Sequence, residues 1–401
     1  MPSPLRTLDL FSGVGGITHA LRGFATPTAY CEIDCVAQAI LKTNMRRGLI
    51  PAAPILPDVR NVDARQLHGR VDMVVGGFPC VGFSLAGNMK GLDDEQSSLF
   101  HNVVDIVGKL RPNMVFLENV EQVLNIAMGT VLERFDALGY DCRWTVLPAY
   151  SVGAPQRRNR WFMLAIRRGA KGVPASLRLD GDGAEFRPYA WGRSREPARM
   201  TLSKSRDRPR RCAALGNAVV PDCVRLAFMQ LVSMDASVKL RATEVPVVRR
   251  VDAADGTKIN GRDDVEYPKS GAMTAGRFVD LTKAMRRRYA KPNAGIVLDP
   301  GAFRSERPPS GAMHHEPLEW PVHRRIWTTP RKGIVRGSNY MTKRTIVDLP
   351  TMVRFAVGTP DHLRTGQITA EFCEYVMGLP VGWTRYDASD IVDESCERIV
   401  R

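Results

Sequence analysis

In the stretch "VDMVVGGFPCVGFS", Val71 to Ser84, an apolar run ends in Gly76 and Gly77, and Pro79 stands directly before Cys80. A cysteine that only filled space would sit inside the run, beside Met73, Val74 and Val75. After the chain has been broken by glycine and proline, it belongs on a loop at the end of a strand. A second run, "NMVFLENV", ends in Glu118 and Asn119. A thiol and a carboxylate at two strand ends can act together on a pyrimidine. Carbon 5 of cytosine is a poor nucleophile until a thiolate adds to carbon 6 and an acid stabilises the charge that develops at ring nitrogen 3. Cys80 is the candidate thiol and Glu118 the candidate acid. A free thiol is little ionised at neutral pH, and "QRRNR", Gln156 to Arg160, supplies basic neighbours for it.

A second constellation lies near the start. "LDLFSGVGGITHAL" reads as a strand, a glycine turn containing Gly13 and Gly15, and a helix, and Glu32 ends the next strand. Glycines let the backbone approach a ligand closely, and a carboxylate at that position can accept from both hydroxyls of a ribose. Alone, this pattern fits a nicotinamide dehydrogenase and a methyltransferase equally well. Hydride transfer has no use for a thiol and a carboxylate at the following strand ends, whereas methylation at carbon 5 needs both. Asp58, in "PILPD", either meets an adenine amino group or caps a turn.

These residues need a scaffold that gathers strand ends. From Leu5 to about Arg168 short apolar runs alternate with helical segments: "LRTLDLF", "TAYCE", "PILPD", "VDMVVGG", "NMVFLENV", "YDCRWTVLPAY" and "RWFMLAIRR". That alternation predicts an α/β fold with a parallel, doubly wound sheet, whose ligands bind at the carboxyl ends of its strands. The last two runs are separated by a short polar loop and predict a hairpin that adds an antiparallel edge strand. Between Trp191 and Arg211 eight basic residues face only Glu196 and Asp207, which suits a loop along a phosphate backbone or a solvated linker. "LGNAVVPDCVRLAFMQLVSM" predicts one more turn and helix. From Asp235 to about His362 the chain is rich in Gly, Pro, Arg and Thr with weak periodicity, a second, loop-rich region. The end, "ITAEFCEYVMGLPVGWTRYD", returns to an amphipathic helix.

With 401 residues, 44% of them hydrophobic, the chain can bury at least one full core. A formal charge of +15 favours a polyanionic partner, nucleic acid first, and is compatible with a merely basic protein. The eight cysteines are too sparse for a disulfide framework, and Cys31 and Cys35 read as core. His314, His315 and His323 lack nearby cysteine or paired acidic partners, so no metal site is expected. The opening apolar segment is too short for a signal peptide, and no stretch reads as a membrane span, so a cytoplasmic or nuclear enzyme is expected.

In order along residues 5 to 230 stand "DLFSGVGG", Glu32 and Asp34 as E-x-D, Asp58, "GGFPCVGFS", "SSLF", "ENV", "QRRNR" and "GNAVVP". This series resembles the DNA (cytosine-5)-methyltransferases. The resemblance implies a Rossmann-like S-adenosylmethionine-dependent methyltransferase sheet, a smaller target-recognition region, and methyl transfer to a cytosine flipped out of duplex DNA, by a monomer. It implies Cys80 as nucleophile, Glu118 as its acid partner, and Arg158 and Arg160 beside the flipped base. For S-adenosylmethionine it implies Phe11 against the adenine, Glu32 on the ribose and Asn217 near the methionine end, with Gly13, Gly15, Asp58, Pro79, Leu99 and Ala218 completing the site. The same chemistry on transfer RNA, and a non-catalytic DNA-binding scaffold on this fold, are the alternatives. Retention of both Cys80 and "ENV" argues against the scaffold.

Three features depart from the family's pattern. Val81 stands where a glutamine usually follows Pro-Cys, and "DDEQSSLF" matches D-x-R-x-x-L only loosely. "GNAVVP" follows "QRRNR" after a short basic stretch, although it normally lies near the C-terminus beyond the recognition region. "RTGQITAEFCEYVMGLPVGWT", near the end, resembles the motif that usually precedes it. The expected organisation is therefore a catalytic domain in residues 1–168 and 212–234, a basic connecting loop in 169–211, a recognition region in 235–362, and a supporting C-terminal helix in 363–401. A helix can dock on the first strand wherever it falls in the chain.

Overall fold

The structure, a computed structural model, describes residues 4–79, 99–170, 189, 191, 196–203, 205, 207–233, 270–273, 327–328 and 366–391. Its centre is a mixed sheet. Strands β1 (Leu5–Leu10), β2 (Ala25–Cys31), β3 (Ile55–Leu56), β4 (Met73–Gly77) and β5 (Met114–Val120) run parallel, in the spatial order β3-β2-β1-β4-β5. Each links to the next through helical segments: α1 (Gly16–Ala20), α2 (Cys35–Arg46), α3 (Ala64–Leu67) and α4 (Leu99–Leu110). β2 begins three residues before its apolar run suggests, and the β1–β2 register shifts immediately after Pro27.

Beyond β5 come α5 (Val123–Ile126), α6 (Met128–Ala137), β6 (Tyr140–Pro148), β7 (Gln156–Arg157) and β8 (Asn159–Arg167). β6 and β8 form the expected antiparallel pair, with one difference of placement. β8 is inserted between β5 and β6, so the antiparallel strand is interior. Its run "RWFMLAI" is buried at five consecutive positions from Trp161 to Ala165, which suits a strand covered on both faces and not an edge. The edge itself is β10 (Ser270–Met273), antiparallel to β6 and drawn from the stretch read as loop-rich.

Side chains alternate across the sheet into two cores. Met73 and Val75 of β4, with Met114 and Phe116 of β5, face one; Val74, Val115 and Leu117 face the other with α4 and α6. The first core also receives α7 (Asp207–Gly216), α8 (Pro221–Ser233) and α9 (Ala370–Met377). Two short pairs complete the described chain. β9 (Met200–Thr201) pairs with β12 (Gln367–Ile368), and β11 (Trp327–Thr328) runs parallel to β7.

The basic stretch before residue 211 is not all loop, because α7 starts at Asp207. Nor are its charges all available to phosphates: Arg199 pairs with Glu196, Arg208 donates to the Ile368 carbonyl, and Arg211 pairs with Glu371 and Glu374. α8 packs mainly on α1, β6 and β8. Residues 207–232 are also long and apolar enough, by length and composition alone, to cross a membrane. They form two helices that sit largely inside the first core, the ordinary position of a core helix in a globular fold.

α9 and the turn after it are tied into the same core. Glu374, fully buried, accepts from the Gly382 and Thr384 amides at 2.5 and 2.7 Å and from Arg211 at 3.0 Å. Trp383 donates its indole N–H to the Val14 carbonyl at 2.8 Å. Gln156 donates to the Val376 carbonyl at 2.9 Å, and Trp191 to that of Tyr375 at 2.7 Å.

Candidate active site

The turn after β1 is built by three left-handed residues. Phe11, Gly13 and Gly15 have φ of 53°, 53° and 81°, so two of the three positions take the residue that adopts this conformation without strain. Ser12 staples the turn to β2, its hydroxyl donating to the Asp9 carbonyl at 2.7 Å while the Cys31 amide donates to it at 3.1 Å. Glu32 closes the arrangement: its carboxylate accepts from the Gly13 amide at 2.7 Å and from the Asp34 amide at 2.8 Å. Burial raises its pKa, opposed by those two amides.

Under the turn lies Asp9, fully buried at the end of β1. One oxygen accepts from the Thr18 hydroxyl at 2.6 Å; the other has no hydrogen-bond partner among the described residues. Burial pushes this carboxyl up to about 7, with Thr18 opposing and Glu32 adding to the shift. Asp58 caps the turn after β3 and pairs with Arg60 at 2.7 Å. Ile33 is 53% exposed between Glu32 and Asp34, an apolar side chain at the mouth of the strand ends. The sequence reading passed over it, although its place between two carboxylates was a usable signal.

Glu118 lies at the carboxyl end of β5, directly opposite Gly77 of β4. A Cβ on Gly77 would stand 2.8 Å from Glu118 Oε2, so glycine is what leaves the carboxylate its space. Arg160 Nε reaches Glu118 Oε1 at 2.9 Å, both side chains mostly buried. Burial raises the Glu118 pKa, and Arg160 and Arg158 pull it back. Asn119 donates to the Phe78 carbonyl at 3.0 Å and thereby fixes the chain two residues before Cys80. Cys80 itself lies outside the described residues, as do Val81 and "DDEQSS"; Pro79 is half-buried and Leu99 opens α4.

Arg158 is buried and donates to the Ala218 carbonyl, which joins "QRRNR" to the turn between α7 and α8. In that turn Ala218 is buried and Asn217 exposed. The next residue, Val219, meets Gly16 so closely that a Cβ there would come within 2.7 Å of its side chain. The structure thus gathers Phe11, Gly13, Gly15, Glu32, Glu118, Arg158, Arg160 and the 217–218 turn at the carboxyl side of the parallel strands.

Residues 5–181 match the family model described as C-5 cytosine-specific DNA methylase. The chain is 30% identical over 363 residues to Type II methyltransferase M.CviJI of Paramecium bursaria Chlorella virus IL3A, covering 88% of this chain and 90% of that protein. The chain belongs to the C-5 cytosine-specific DNA methylase family. Against Type II methyltransferase M.HhaI of Haemophilus parahaemolyticus it is 33% identical over 168 residues, 41% of this chain and 49% of that one. Among solved structures, Spodoptera frugiperda DNMT2 covers 42% of this chain and 51% of its own, with 21% identity and a TM-score of 0.35. This methylase is therefore an enzyme that methylates cytosine in DNA, and its family draws the methyl group from S-adenosylmethionine. The residues around its glycine turn suit that cofactor: positive-φ glycines open a backbone cradle, and the Gly13 and Asp34 amides fix the Glu32 carboxylate beside it.

Proposed function

We propose that this methylase acts on a cytosine extruded from duplex DNA, through a covalent adduct between Cys80 and carbon 6. Extrusion is required because carbons 5 and 6 cannot be reached inside the base stack. The observation that carries the reading is the Glu118–Arg160 pair at 2.9 Å, beside a loop that Asn119 anchors just before Cys80.

The Cys80 thiolate forms a bond to carbon 6 while Glu118, its carboxyl favoured in the protonated form by burial, gives a proton to ring nitrogen 3. Arg160 holds Glu118 in place and is proposed to favour the thiolate through its positive charge. Bound in the cradle, S-adenosylmethionine would supply the electrophilic methyl group for carbon 5 and leave as S-adenosylhomocysteine. A solvent water then takes the proton on carbon 5, the carbon 5–carbon 6 double bond re-forms as the bond from carbon 6 to the Cys80 sulfur breaks, and the proton at nitrogen 3 returns to Glu118. Phe11 and Ile33 are proposed to flank the adenine, Glu32 to hold the ribose, Asp58 to lie near the adenine amino group, and Asn217 and Ala218 the methionine end, with Gly13, Gly15, Pro79 and Leu99 lining the cradle. Arg158 is assigned a supporting part, because its donation to Ala218 couples the base side of the site to the cofactor side.

Residues 235–362 are proposed to read the DNA groove. Their two described pieces support this: β10 extends the sheet, and β11 lies against Gln156–Arg157, immediately before Arg158 and Arg160.

The test is transfer of labelled methyl from S-adenosylmethionine to genomic DNA, followed by bisulfite sequencing, with transfer RNA as competing substrate. Modified cytosines in one repeated context are expected. Label on transfer RNA alone, or none on any DNA despite cofactor binding, would overturn the reading.

A further inference from the structure

At the opposite end of the sheet from Glu32 and Glu118, the amino ends of β1, β4 and β5 surround a cavity of about 300 Å³. Arg6, Arg111 and Arg167 line it together with His68 and Asn113, and Asp72 is its one carboxylate among the described residues. Three guanidinium groups therefore meet a single negative charge. That charge is already engaged, since Arg6 holds Asp72 through two side-chain contacts at 2.9 and 2.8 Å.

The other two arginines are fixed in place by neutral groups. Arg167 donates to Asn113 Oδ1 at 2.7 Å, while its Nε is buried with no hydrogen-bond partner among the described residues. Arg111 donates to the Leu138 carbonyl and lies over the Tyr140 ring, 5.8 Å from the centroid. It occupies the residue after α4 with φ of 51°, a place where glycine or asparagine is the ordinary occupant. None of these residues belongs to the constellation around the cofactor turn or Glu118. Guanidinium groups held by carbonyl, amide and aromatic partners keep their full charge, and their planar forks match the oxygens of a phosphate.

We propose that this cavity binds a phosphate group, at a site distinct from the methyl-transfer site. A concave site of this size admits a single phosphate of a small molecule or one backbone phosphate of a second DNA segment, and both share the same recognition chemistry. The amino-end position keeps this ligand off the face where the target cytosine enters.

The experiment uses the full chain with inorganic phosphate as probe, at constant ionic strength against chloride, read by thermal shift and calorimetry. A saturable rise in melting temperature is expected for the native protein, with affinity reduced at least about tenfold in the double variant Arg111→Gln, Arg167→Gln. Arg6→Gln, a half-exposed position, is the second variant: it frees Asp72 to repel anions and is expected to weaken phosphate without disturbing the core. Methyl transfer to duplex DNA is expected to be unchanged in both. Weakening of phosphate by a saturating short duplex would assign the site to DNA backbone; no competition would assign it to a free phosphate compound. A non-saturable shift, or one equal in native and variant proteins, would mean an adventitious ion only and would overturn the proposal.

Discussion

Gly77 offers a direct test of the geometry around Glu118, because it separates the position of the carboxylate from its chemistry. In Gly77→Ala the added methyl would lie 2.8 Å from Glu118 Oε2, inside the ordinary contact range that begins near 3.4 Å. The carboxylate is held on its other side by Arg160 Nε at 2.9 Å, so it must retreat by about 0.6 Å or rotate out of that pair. The strand residues next to the pair, Gly76 and Leu117, are buried. A misplacement of about 1 Å at a reacting group costs on the order of 100-fold in rate. The expected loss in kcat is therefore between about 10- and 100-fold, with S-adenosylmethionine affinity changed by less than about twofold, since the turn after β1 is not touched. Single-turnover methyl transfer and calorimetric cofactor binding measure the two quantities separately. A folded Gly77→Ala enzyme with native turnover would refute the argument that Glu118 must occupy this position.

Cys80→Ala is expected to abolish methyl transfer and the denaturation-resistant adduct with a duplex carrying 5-fluorocytosine, while leaving cofactor binding intact; residual turnover would exclude covalent catalysis. Asp9 keeps a proton in the folded state up to pH of about 7 that the unfolded chain releases near its ordinary value, so its contribution to stability is present at low pH and is lost as pH rises through that window. The loss is on the order of 4 kcal/mol, and Asp9→Asn should flatten the fall between pH 4 and 7 in urea titrations; an unchanged slope would show that another group causes it. Glu374→Ala removes a buried carboxylate that Arg211 and two backbone amides share, and is expected to cost about 3 to 5 kcal/mol of stability in equilibrium unfolding.

Much of the scaffold was legible because each of its strands announces itself locally. The runs ending at Leu10, Gly77 and Val120 are apolar and broken by glycine or a carboxylate, and they are β1, β4 and β5. The interior position of β8 was not legible, because a hairpin's sequence shows which strands pair and is silent about which of them inserts beside β5. The basic stretch misled for a related reason. Arg208 and Arg211 look solvated in a charge run, yet they are half of long-range contacts whose other halves, Ile368, Glu371 and Glu374, lie more than 150 residues away. At the site, Glu32 could be picked out by its spacing from the glycines. Asp9 could not, since nothing local distinguishes a buried carboxylate from an exposed one at the end of a strand.

The hydrogen bond from Trp383 to the Val14 carbonyl joins two residues 369 positions apart in the chain. At ordinary elongation rates, about 20 to 75 seconds separate the two on the ribosome. Throughout that interval the first core lacks α9, and the surface that Phe372, Val376 and Trp383 will cover stays open to water and to chaperones. Synthesis therefore cannot close this core until Trp383 has emerged. The same contacts predict that residues 366–391, supplied in trans to a chain ending after α8, would restore the closed core through Val14 and Arg211.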